Sequence, residues 1–66
     1  MQVYVNGEAR EVAPGQTLAG LLEALAAPAQ GIAVEVNEAV VRRADHPTRA
    51  LCEGDRIEVV GLVGGG

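Results

Sequence analysis

The chemically distinctive group in this sequence belongs to the backbone. The chain closes on Gly61-Leu62-Val63-Gly64-Gly65-Gly66, two apolar residues followed by three glycines, which at a C-terminus would carry the Gly66 carboxylate on backbone without side chains. Glycine buries nothing and loses more backbone freedom on ordering than any other residue, so a run of three serves no folding purpose. Its use is reach. A thread this thin can enter a narrow channel with a carboxylate at its tip. The tail is therefore the candidate site, Gly66 for its carboxylate and Gly64 and Gly65 for the thread. Leu62 and Val63 either continue the last strand or offer an apolar grip to a partner.

The other reactive side chains carry weaker signals. Cys52 is the single cysteine, so it forms no internal disulfide and cannot supply an iron–sulfur or zinc site, and a reducing, cytoplasmic setting is expected. Between Leu51 and a turn it reads as a small, partly buried hydrophobe and not as a nucleophile. His46, beside Pro47, has no second ligand at metal-binding spacing and reads as a solvated loop residue. Arg42, Arg43 and Arg49 read the same way, although they could meet an acidic partner. The glycines are too scattered to cradle a phosphate. No catalytic residue, bound metal or resident cofactor is expected.

Length and composition agree. Sixty-six residues, 48% hydrophobic and 21% charged with Tyr4 as the one aromatic, fit one globular domain with an aliphatic core and no room for an enclosed active site. Nine acidic residues against five arginines and no lysine give a net charge of −4, which disfavours nucleic acid and suits a basic protein surface better, although from charge alone the preferred reading is that it maintains solubility. The opening Met1-Gln2-Val3-Tyr4-Val5 lacks a basic leader and no apolar run is long enough to span a bilayer, so neither secretion nor membrane insertion is expected. The free protein is expected to be a monomer.

The elements that must position the tail follow from periodicity. Val3 and Val5 alternate with polar neighbours as in a half-buried strand, Asn6-Gly7 marks a type I′ hairpin, and Glu8 to Val12 should return as a second strand. A strict two-residue turn would set Val3 opposite Arg10 and Val5 opposite Glu8. That poor match for a buried face predicts a bulge or a longer turn. Thr17 is placed to cap a helix whose Leu18, Leu21, Leu22 and Leu25 form one apolar stripe that ends before Pro28. Ile32, Val34 and Val36 predict a third strand, Asn37-Glu38 a turn, Ala39 to Val41 a short fourth strand, and Ile57 and Val59 one buried face of a last strand after Glu53-Gly54-Asp55. Arg42 to Pro47 reads as polar and irregular.

Hairpin, crossover helix, hairpin and closing strand make an α+β, ubiquitin-like β-grasp: a mixed sheet of four to five strands with one helix across it. In that layout the last strand lies centrally beside the first and the C-terminus leaves the sheet as an exposed tail. The division expected is a domain over 1–63 and a glycine tail over 64–66.

In that order, Met1 to Glu8, Thr17 to Leu25, Val34-Glu35-Val36-Asn37 with Val40-Val41, Gly54 to Val59 and the closing glycines resemble the ubiquitin-like sulfur carriers. The nearest resemblance is to the thiamin-biosynthesis sulfur carrier (ThiS) family. The resemblance implies that an E1-like adenylating enzyme uses ATP and magnesium to activate Gly66, and that sulfur from a cysteine desulfurase or another persulfide donor replaces AMP to leave a thiocarboxylate. It further implies that thiazole synthase takes that sulfur. The small subunit of molybdopterin synthase, a tRNA-thiolation carrier and a ubiquitin-like protein modifier are the alternatives at this stage.

Overall fold

A computed structural model of the chain describes residues 1–61. The boundary expected at 63/64 and the tail residues Leu62 to Gly66 lie outside them. The elements run β1 (Gln2–Val5), β2 (Glu8–Glu11), α1 (Leu18–Ala24), β3 (Ile32–Val36), β4 (Ala39–Val40), a 3-10 turn (Arg43–Asp45) and β5 (Arg56–Gly61). The five strands form one sheet in the order β2-β1-β5-β3-β4. Strand β5 lies parallel to β1 and antiparallel to β3, the β-grasp arrangement in which the closing strand takes the centre.

Alternation decides the core. Val3 and Val5 of β1, Val34 and Val36 of β3 and Ile57 of β5 face α1, which returns Leu18, Leu21 and Leu22, and Leu51 closes the same cluster. Leu25, at the helix C-cap, packs on the edge of this cluster. A helix of two turns is unstable alone, so burial of its leucine stripe is what holds it.

The turn between β1 and β2 is a strict two-residue one, correcting the bulge expected there. Asn6 and Gly7 take φ of 50° and 86°, the left-handed pair that a type I′ turn requires. Val3 pairs with Arg10 and Val5 with Glu8. The mismatch costs little because β2 is an edge strand, exposed along its whole length. The helix does not reach far enough to bury Glu8 and Arg10.

A second correction concerns 42–50. This stretch caps the helix. The first helical amides have no partner within α1. Leu18 N donates to the Arg49 carbonyl (2.9 Å), Ala19 N to the His46 carbonyl (3.0 Å) and Gly20 N to Thr17 Oγ1 (3.1 Å). His46 is accordingly half-buried and not freely solvated, and its Nε2 donates to the Val41 carbonyl at 3.0 Å. Gly20 costs helix propensity, and a Cβ there would crowd only the flexible end of Gln16, with Nε2 at 3.0 Å.

Candidate functional site

The site is the place where β5 leaves the sheet. Arg56 to Gly61 is the longest described strand and lies at the centre of the sheet. On one side β3 pairs with it from Val36 opposite Ile57 to Ile32 opposite Gly61. On the other, β1 pairs only through Tyr4 and Val5. The chain therefore stays hydrogen-bonded in register up to the last described residue, and Leu62-Val63-Gly64-Gly65-Gly66 follow directly from that fixed point.

Three polar side chains, which the sequence reading treated only as turn residues, fix the strand. Asn6 N donates to the Ile57 carbonyl and Asn6 Oδ1 accepts from Val59 N, both at 2.9 Å, so one asparagine extends the pairing past the end of β1. Asn37 does the equivalent at the start of β5, where its Oδ1 accepts from Arg56 N (3.0 Å) and its amide donates to the Arg56 carbonyl (2.8 Å). Asp55 is the one buried charged residue among the described ones, at 6% exposure. Its carboxylate accepts from Cys52 N (2.8 Å) and from Asn37 Nδ2 (3.0 Å), as a buried charge requires. The signal for Asn6 and Asn37 was present in the turn motifs. Their bonds to β5 were not legible, because the partners stand far away in sequence.

The remaining expectations resolve as follows. Cys52 is exposed, correcting the partly buried position expected for it: the Glu53-Gly54 turn directs it outward while Leu51 goes into the core. No group of His, Cys, Asp and Glu that could hold a metal ion occurs among the described residues. Arg43 donates to the Ala29 carbonyl, a strut and not a loose loop cation, and Arg49 is half-buried. Gly64, Gly65, Gly66, Leu62 and Val63 are outside the described residues. The outer face of the sheet leaves Tyr4 and Val60 38% and 48% exposed, Tyr4 opposite Arg56 at the start of β5 and Val60 beside Gly61 at its end.

The ThiS family profile matches residues 3–66. This chain belongs to the ThiS family. It is 41% identical over 64 residues to the sulfur carrier protein ThiS of Thermus thermophilus, an alignment covering 97% of this chain and 98% of that one. The crystal structure of the thiamine biosynthesis protein ThiS from Geobacter metallireducens superposes with a TM-score of 0.87 at 33% identity, covering the whole of both chains. The fold is thus the ubiquitin-like β-grasp of ThiS. A thiazole synthase of Magnetococcus marinus is 44% identical over 66 residues; all of this chain aligns, and it spans 20% of that longer polypeptide. No described helix is long and apolar enough to cross a membrane.

Proposed function

We propose that the chain is a sulfur carrier for the thiazole moiety of thiamin, a cytoplasmic protein co-substrate that is charged and discharged and does not itself catalyse. The Gly66 carboxylate attacks the α-phosphorus of ATP on an E1-like adenylating enzyme, which holds the nucleotide and magnesium, and pyrophosphate leaves. Adenylation is needed because a free carboxylate would have to expel oxide, whereas AMP is a competent leaving group. A persulfide, supplied from cysteine by a desulfurase, displaces AMP and forms the C–S bond. Reduction of the resulting acyl disulfide by a thiol releases the thiocarboxylate, which passes its sulfur to thiazole synthase.

One observation carries this reading. The central strand β5, paired with β1 and β3 and clamped by Asn6 and Asn37, remains in register up to Gly61, so a partner gripping the rigid sheet knows where the tail begins. Family membership supports the same chemistry. Thiazole synthase as the recipient is supported by the M. marinus thiazole synthase, in which a stretch similar to this whole chain belongs to the same polypeptide. Exposed Tyr4 and Val60, with Leu62 and Val63 beyond, offer the apolar grip for the adenylating enzyme.

Intact mass spectrometry after incubation with an adenylating enzyme, ATP and a cysteine desulfurase tests it. The expected product gains the mass of one oxygen-for-sulfur exchange at Gly66. A lysine-linked conjugate in its place would assign the chain to protein modification. Gly65→Val and Gly66→Ala are expected to lose ATP–pyrophosphate exchange with an unchanged circular dichroism spectrum, since a Cβ on the thread clashes in a channel shaped for backbone. Normal exchange with either variant would sink the tail mechanism. One residue appended after Gly66 is expected to abolish charging.

A further inference from the structure

On the helix side of the sheet, opposite Tyr4 and Val60, an open groove of about 550 Å³ runs between α1 and the β3–β4 hairpin. Its floor is apolar: Leu22, Ala27, Ile32, Val34 and Val41. Val40, at 68% the most exposed large apolar side chain among the described residues, stands at its rim. One wall is basic, with Arg42, Arg43 and His46, and the helix wall carries Glu23. In a chain of net charge −4 with only five cationic side chains, two arginines on one apolar groove concentrate positive charge where an apolar surface is left in water.

The basic wall is built, not loose. Arg43 is held to the Ala29 carbonyl across the mouth of the groove and His46 to the Val41 carbonyl. A guanidinium has five N–H donors, so the Ala29 contact leaves Arg43 able to bind an anion. Opposite, Ala26 closes α1 with φ 57°, and this turns Ala27-Pro28-Ala29 into the lip of the groove. A groove this open cannot enclose a small molecule as a ligand pocket does, but it suits a chain segment that lays down one apolar face.

We propose that this groove docks an acidic amphipathic segment of a partner protein, with apolar side chains on the Leu22–Ile32–Val41 floor and carboxylates against Arg42 and Arg43. The occupant is chosen by charge: carboxylates pair with the arginine wall, while a basic or neutral segment would leave both guanidinium groups unmatched. The groove borders the tail exit, since its Ile32 pairs with Gly61, but the proposal uses none of the tail residues and stands whether or not Gly66 carries sulfur.

The test is amide NMR of the isotopically labelled full chain titrated with a synthetic amphipathic helix of leucine, alanine and glutamate, beside a copy bearing lysine at every glutamate position. Saturable shifts at Ala19, Leu22, Ile32, Val40 and Arg42 are expected with the acidic peptide, and binding at least about tenfold weaker with the basic one. Arg42→Glu is the variant of choice because Arg42 is exposed and is not a strut. It is expected to weaken the acidic peptide by about fivefold to tenfold while leaving the fold intact. Equal affinity for both peptides, or an unchanged affinity in Arg42→Glu, would overturn the proposal. So would three other occupants: a second copy, seen as concentration-dependent shifts at these amides without peptide; the chain's own end, seen as contacts from Leu62 or Val63 methyls to Val40; and an anionic bilayer, seen as tighter binding to phosphatidylglycerol vesicles than to the peptide.

Discussion

Asp55 illustrates how one residue can set the start of a functional strand. Its two carboxylate oxygens tie the Cys52 amide and the Asn37 side chain together, and Asn37 in turn holds both backbone groups of Arg56. Removing the carboxylate leaves two donors short of a partner at a buried position, a loss of about 1–3 kcal/mol. Asp55→Ala is therefore expected to lower the unfolding free energy by that amount, read in urea denaturation as a lower midpoint at an unchanged slope. A midpoint within error of the parent would show that water replaces the carboxylate without cost. In the proposed function the glycines at the chain end act at the same scale but oppositely: their value is what they lack, and the proposed chemistry resides in one terminal carbon.

Among the elements, α1 is held more by its surroundings than by its composition. Seven residues with an internal glycine make a poor helix in isolation. The chain supplies Thr17 at the N-cap, the His46 and Arg49 carbonyls for the free amides and three buried leucines. At the other end, Ala27 N donates to the Leu22 carbonyl and Ala26 N to the Glu23 carbonyl, a Schellman ending in which the left-handed position is filled by Ala26 (φ 57°) where glycine is usual. Ala26→Gly removes that backbone strain at an exposed site and is expected to stabilise the fold by about 0.5–1 kcal/mol, read as a higher thermal midpoint. A lower midpoint would mean that the alanine methyl contributes packing that its exposure does not suggest.

For the whole molecule, the small core leaves little margin. Among the described residues nine buried apolar side chains serve the sheet, and Leu18, fully buried, sits where α1 crosses it. Leu18→Ala is expected to cost about 3–5 kcal/mol, a large part of the stability of a domain this small. The variant should therefore be substantially unfolded at 37 °C by circular dichroism and lose tail charging with its fold, unlike the glycine variants, which lose charging alone. In the proposed function rigidity and reach are thus separable: the sheet would give partners a fixed body to grip, and the tail would supply the reacting group.

The sequence alone determined the element order, the buried faces of β1, β3 and β5, the helix cap and the Gly-Gly ending, because each is a local property: a period of two, a stripe at i, i+3, i+4 and i+7, a turn that needs positive φ, a run without Cβ. From these the β-grasp and the family resemblance were legible. Tertiary structure decided what depends on residues distant in sequence. It put Val3 opposite Arg10 without a bulge, since only the sheet order reveals that β2 is an uncovered edge. It turned an irregular polar stretch into the cap of α1 and the basic wall of a groove, since those carbonyls meet the helix only after the chain has crossed the sheet. It also made Asn6, Asn37 and Asp55 the clamps of β5, because a hydrogen-bond partner 18 to 53 residues away leaves no trace in local pattern.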